Sequence, residues 1–417
     1  MVLEGAKQLS RWQKPQTADL LLTVKNVEQI TNKLSHLRGA AMKLGQIVSM
    51  DAGELISPEF SAVLAKLRKE ASPMPHKQLV TVLKSNWGET WLDEFSQFEL
   101  RPFAAASIGQ VHLAYLATGE KLAVKIQYPG VADSIESDVD NVATLLRVSG
   151  LLPSHLEITP LLEQAKKQLQ DEANYQLESS YIEQYQAHLD ADEFSLPQVY
   201  PNLSTPAILV MGYVEGRPIE NAVNQPQEVR NRIVEQLIRL FLQELFDFRL
   251  MQTDPNFANF LFDQETGKIG LLDFGATRAI PEHVSEGYLA LIKAGLEGNS
   301  DSVESAAREI GFFKGELEQG YLANILKIFE LACEPVQFDG AYDFAKSQLA
   351  TRIKTLGLQI GKQTSQWHTP PVDALFIHRK VAGLYLLACK LEAKVNVNKL
   401  LSESTLGNES PQLSIGF

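Results

Sequence analysis

Along most of this chain the apolar residues recur every three or four positions, a spacing that lays one stripe along a helix. Residues 18–70 follow it, and "RGAAMKLGQIVSM" within them sets small residues against one another. The Pro-bearing "ASPMPH" ends that region, and "KQLVTVLKSNW" adds a short helical piece. The pattern then changes. Between Arg101 and Tyr128, β-branched and aromatic residues flank a Thr118-Gly119 turn, which predicts strands. Helical spacing resumes over 133–148 and 160–187, and a fully apolar strand is predicted at 207–214, closed by a Gly216 to Pro218 break. Val229, Ile233, Val234, Leu237, Ile238, Phe241 and Leu245 then draw one stripe around a long helix. Two short apolar arms, "FLF" and "IGLL", joined across "DQETG", predict an antiparallel hairpin, with Gly267 supplying the positive φ of its turn. From about residue 282 every periodic segment is helical, apart from a Gly/Gln/Pro loop at 356–373.

These elements describe an α+β chain in three parts: a helical extension over 1–98, a small mixed lobe of strands and helices over 99–212, and a larger, mainly helical lobe over 213–417. A length of 417 residues with 45% hydrophobic content is more than one core usually organises. The net charge of −13 argues against a grip on nucleic-acid phosphates, which needs clustered Lys and Arg. Only two cysteines occur, Cys333 and Cys389, each in an apolar helical run, so they read as small buried hydrophobes. The first residues lack a secretory signal pattern, and no stretch reaches about 18 apolar residues without charge. A cytoplasmic protein, peripheral to the inner face of a membrane if it meets one, is the expectation.

The chemistry lies in "MQTDPNFANFLFDQETGKIGLLDFGATR". A hairpin returns its two ends to one place, so Asn259 and Asp273 should lie side by side. Converging oxygen ligands suit a hard cation such as Mg²⁺ or Mn²⁺, which completes its shell with water and phosphate. Asp254, ahead of Pro255, is then free to orient an attacking hydroxyl or water. Upstream, Lys125 interrupts the apolar "LAVKIQY", and a buried ammonium requires a carboxylate partner. Glu172 and Glu178 in "DEANYQLE", on different faces of one predicted helix, are the candidates. Strand lysine, helix glutamate, D-x-x-x-x-N, hairpin and D-F-G is the protein-kinase order.

With "KLGQ" at Lys43 to Gln46, "AAASIGQVH" at Ala104 to His112, and "AVKIQYPGV", the sequence resembles the UbiB/ADCK (aarF-domain) family of atypical kinases over roughly residues 38–400. It is most similar to the Coq-type branch, linked to ubiquinone biosynthesis. The resemblance implies a bilobal protein-kinase-like fold, ATP or ADP with Mg²⁺, and an extension whose Lys43 and Gln46 cover the substrate side and reach Glu172, leaving Glu178 for Lys125. It places Ala104, Ala105, Ala106, Ser107 and Gly109, together with Met211, Tyr213 and Val214, among the nucleotide-binding residues. Several departures from ordinary kinases stand out: alanines replace the glycines of the phosphate loop, Gln252-Thr253 replace His-Arg, and no A-P-E follows Gly275. An ATP-dependent kinase or ATPase serving isoprenoid-quinone synthesis is one expectation, with quinone precursors, membrane lipids or quinone-synthesising enzymes as partners. A nucleotide-gated scaffold without phosphotransfer is the second. A small-molecule kinase resembling those for choline or aminoglycosides is a third, against which the "KLGQ" helix counts.

Overall fold

The computed structural model describes residue 40 and residues 73–149, 159–313, 319–363 and 371–404. The remainder of the helices predicted over 18–70, with Lys43 and Gln46, lies outside them. The chain forms two compact units, one from its first part to Glu183 plus Pro197–Tyr213, the other from Gln184–Leu196 plus everything from Val214.

In the first unit, α1 (His76–Trp87) precedes strands β1 (Gln97–Phe98), β2 (Ala104–Ala105), β3 (Gly109–Tyr115) and β4 (Lys121–Gln127), followed by α2 (Val131–Ser149) and α3 (Thr159–Glu172). The sheet is antiparallel, in the order β1-β3-β4-β6, where β6 is Ile208–Gly212 and β2 pairs with β3. Gly119 turns the chain between β3 and β4 at φ 93°, as its place in the sequence requires. Strand residues alternate between faces. Leu122, Val124 and Ile126 therefore share a face, fully buried against Leu79, Leu83, Trp91 and Phe95, each contributing on the order of 1.5–3 kcal/mol. Lys125 projects from the opposite face.

The helix predicted over 160–187 is two helices. α3 ends at Glu172 and α4 (Tyr175–His188) begins after Asn174, whose Oδ1 accepts the Leu177 amide at 3.0 Å. Asparagine satisfies an orphan N–H at a helix start better than it extends a helix, so the chain breaks there. Glu172 and Glu178 thus belong to different helices and are aimed independently.

The second unit opens with β5 (Phe194–Ser195), parallel to β10 (Ile269–Leu271), which pairs antiparallel with β9 (Phe260–Phe262); β7 (Arg217–Pro218) completes this sheet on β9. α5 (Gln227–Leu242) ends in a π turn at Gln243–Asp247 and delivers the chain to β8 (Leu250–Gln252), which pairs with β11 (Thr277–Ala279). α6 (Glu282–Glu297), α7 (Ser300–Ile310), α8 (Gln319–Ala332), α9 (Leu349–Gln363), α10 (Val372–Lys390) and α11 (Val397–Glu403) follow. Leu245, Met251, Val284, Leu291, Phe312 and Ile377 centre their core. The region beyond 282 is not wholly helical, since β12 (Tyr342–Asp343) pairs with β13 (Lys394–Val395), and α9 runs past the expected loop start at 356 to Gln363. Both cysteines are free thiols; burial pushes that of Cys333 up to about 11. No helix among the described residues is long and apolar enough to cross a membrane.

Candidate active site

Lys125 is 8% exposed and donates to both carboxylate oxygens of Glu178, at 2.8 and 2.9 Å. Glu178 is fully buried in the first turn of α4, where the helix N-terminus favours negative charge. The Lys125 ammonium also stands 5.4 Å from the Tyr175 ring centroid. Of the two candidate glutamates, the structure gives Lys125 to Glu178. Glu172 instead accepts a hydrogen bond from the exposed Ser107 hydroxyl at 2.7 Å. The expected reach of Lys43 and Gln46 to Glu172 lies outside the described residues.

The alanine segment is a β-hairpin. Ala104 and Ala105 pair with Val111 and Gln110, and the Ala106 amide donates to the Gly109 carbonyl at 3.0 Å, which puts Ser107 at the tip. None of these residues has positive φ, so alanine costs nothing here. Gly109 is required for a different reason: a Cβ on it would sit 2.2 Å from the Ile126 carbonyl oxygen. The remainder of "GQVH" is structural. Gln110 Oε1 accepts the Met74 amide at 2.9 Å, so its Nε2 donates to His112 Nε2 at 2.8 Å, leaving the Nδ1 proton for the Glu99 carbonyl at 2.7 Å. Burial lowers the His112 pKa, against the opposing pull of that last bond, and the ring stays neutral. Met211 on β6 pairs with Ala123, and Tyr213 lies under the Lys121 ammonium, 3.4 Å from its ring centroid. Val214, in the second unit, packs beside Gly270.

The second unit gathers Asp254, Asn259 and Asp273. The hairpin forms with Gly267 at φ 73°, and past its last strand pair the Leu272 amide donates to the Asn259 carbonyl at 3.0 Å. Asn259 and Asp273 consequently line one small cavity, about 10 Å³, with Glu244, Gln252 and Lys380. Asn259 Nδ2 donates to Asp254 Oδ2 at 3.3 Å, which turns the amide oxygen away from Asp254. Asp273 Oδ1 accepts the Gly275 amide at 3.0 Å, and Phe274 is fully buried, edge-on to Tyr185 at 4.9 Å. Beyond it β11 pairs with β8, and the Thr253 hydroxyl donates to the Ala276 carbonyl at 2.7 Å, so the loops carrying Asp254 and Asp273 are fastened to each other.

Sequence reasoning missed the contribution of α10. Arg379 Nη2 lies 3.6 Å from Asp254 Oδ1, and Lys380 Nζ donates to the Gln252 carbonyl at 2.8 Å. A Cβ on Gly383 would fall 2.4 Å from Pro255 Cβ, so the loop rests directly on this helix. His378, read as structural, is a buried spacer stacked on Phe312 at 5.4 Å and hydrogen-bonded to the Tyr288 hydroxyl at 3.0 Å. The only signal for Arg379 and Lys380 was two adjacent cations in an otherwise apolar helix.

A divalent ion fits this donor set in one way. Among the described residues no cluster of three or more His, Cys, Asp and Glu side chains could hold a metal by itself. An amide oxygen and one carboxylate are the hard, sparse ligands of an ion that takes the rest of its shell from phosphate and water.

The ABC1 atypical kinase-like domain model matches residues 66–307. This chain belongs to that family. The atypical kinase COQ8B, mitochondrial, of Rattus norvegicus is 38% identical over 92% of this chain and 72% of its own length. The atypical kinase COQ8, mitochondrial, of Saccharomyces cerevisiae is 34% identical over 96% and 80%. Among solved structures, Rv3197 of Mycobacterium tuberculosis, in complex with erythromycin, superposes with a TM-score of 0.64 at 25% identity, covering 93% of this chain and 97% of that one. The ABC1 chain described here accordingly has a protein-kinase-like fold and is an atypical kinase, a phosphotransferase by class.

Proposed function

We propose that this ABC1 protein uses ATP, with Mg²⁺ or Mn²⁺, to support isoprenoid-quinone (ubiquinone) biosynthesis from a cytoplasmic membrane surface. The observation that carries the reading is the two-toothed Lys125–Glu178 ion pair. A buried, doubly hydrogen-bonded ammonium is held as a point charge for phosphate oxygens at no cost of reorganisation. Asn259 and Asp273 would hold the metal, which supplies charge neutralisation to the phosphates when bound. Asp254, kept in place by Asn259 and Arg379, orients the acceptor hydroxyl or a water and takes its proton. The hairpin tip at Ser107 offers its hydroxyl and backbone to the nucleotide, with Met211, Tyr213 and Val214 for the base.

The test is Mg²⁺-dependent phosphate release from ATP by the full chain, with and without anionic vesicles, and quinone content in cells lacking the protein. Lys125→Ala and Asp273→Ala should each lower turnover on the order of 100-fold. Wild-type turnover in both variants would refute the mechanism. Flotation with the vesicles reports the membrane half of the proposal.

The Ser107–Glu172 hydrogen bond favours a second reading. A carboxylate at the hairpin tip opposes a phosphate there, so nucleotide loading would displace Glu172 and could signal to partner enzymes without phosphotransfer. Turnover that Asp254→Asn abolishes excludes this scaffold reading.

A further inference from the structure

The proposed mechanism uses neither Gln252 nor Lys380, yet both are buried beneath the catalytic loop, 6% exposed each. We infer that Gln252, its amide oriented by Lys380, is a positioning residue that fixes the backbone of Asp273 for metal binding. The inference rests on the reading of Asp273 as a metal ligand.

Charge decides the geometry. Lys380 Nζ lies 3.0 and 3.1 Å from the two oxygens of the fully buried Glu244, 2.8 Å from the Gln252 carbonyl and 3.3 Å from Gln252 Oε1. An ammonium only donates, so the end of the Gln252 amide that faces it is the oxygen. The other end, Nε2, is thereby turned to the Asp273 backbone carbonyl, to which it donates at 3.2 Å. The Gln252 backbone amide in turn donates to the Tyr185 hydroxyl at 2.7 Å, and that hydroxyl donates to Glu244 at 2.7 Å. Every polar group of Gln252 is therefore engaged, and the residue has one available orientation. Asp273 is clamped at both ends, its carbonyl by Gln252 and its carboxylate by the Gly275 amide. A buried ion pair is a poor way to gain stability alone, since apolar residues of similar volume do as well or better. What it provides here is a fixed direction for one amide, and groups that orient a ligand typically matter 10–100-fold for metal affinity.

The full chain, with Mg²⁺ titrated into ATP turnover, tests this. Gln252→Met keeps the length of the side chain and removes the donor; it should raise the half-saturating Mg²⁺ concentration about tenfold, with metal-free nucleotide affinity unchanged. Gln252→Glu keeps the contact to Lys380 and so protects the fold, but has no donor for Asp273. Positioning predicts a higher Mg²⁺ requirement in this variant, whereas the added negative charge by itself would lower it. Lys380→Met with Glu244→Met removes both charges together and should reproduce the Gln252→Met shift, while Lys380→Arg should keep wild-type behaviour. Asp273→Asn is the control. If it shifts the Mg²⁺ requirement and both Gln252 variants leave it unchanged, the positioning role is overturned. If Asp273→Asn itself is without effect, the assignment of the metal ligand has failed instead.

Discussion

Lys125 and Glu178 are the residues most exposed to a single change. Truncating one partner of a buried pair leaves the other charge without compensation, which typically costs about 3–5 kcal/mol, whereas removing both together is far milder. Lys125→Met and Glu178→Leu should therefore each destabilise strongly and combine non-additively, the double variant being more stable than the sum of losses predicts. Urea unfolding of the four proteins in the cycle measures this, and additive losses would show that the pair is not coupled as drawn. Gly383 makes a sharper local prediction. A methyl there meets Pro255 Cβ at 2.4 Å, so Gly383→Ala must push the loop that begins with Asp254. The expected result is an overpacking cost of about 1–3 kcal/mol together with a fall in turnover at saturating ATP, read by steady-state kinetics beside an unfolding midpoint.

Elements differ in how far the sequence discloses them, and the reason is range. The catalytic hairpin was legible because everything that makes it is local: two apolar arms, a glycine at the turn, and polar groups at the two ends. Lys125 was legible because a cation stands out in an apolar strand, though its strand places Leu122, Val124 and Ile126 on one face and the lysine on the other. The α3–α4 break was misread, because helical spacing of apolar residues continues across Ala173-Asn174 and only the capping chemistry of Asn174 interrupts it. The role of α10 was hidden altogether. Lys380 meets Gln252 across 128 residues, and periodicity says which residues share a helix face but not what that face will touch. The β12–β13 pair, two residues a side, is too short to leave a pattern. The misread break carries its own prediction. Asn174→Ala removes a cap worth about 0.5–2 kcal/mol and loosens the first turn of α4, which holds Glu178. Asn174→Asp preserves the cap and should restore both stability and ATP turnover; failure of that rescue, measured in the same assays, would place the residue's importance outside capping.

At the scale of the molecule, a neutral buried histidine in each unit sets how the fold meets acid. Burial pushes His378 down to about 4 from its ordinary 6.5. Between those values the unfolded chain carries a proton on this residue and the folded chain does not, so the unfolded state binds more protons and stability falls as pH falls through the window. At about 1.4 kcal/mol per unit, the loss from this residue approaches about 3 kcal/mol by the acid end. His112, lowered by burial in the first unit, acts in the same direction there. Asp263 opposes neither, since the hydrogen bond from Thr266 lowers its pKa, and it too favours the fold only while ionised. Replacing His378 by Gln keeps an acceptor for the Tyr288 hydroxyl but removes the titration. Urea midpoints followed from neutral pH to about pH 4.5 should therefore fall less steeply in His378→Gln than in the parent, even if the variant starts lower. Parallel slopes in the two proteins would move the acid sensitivity of the second unit to some group other than this imidazole.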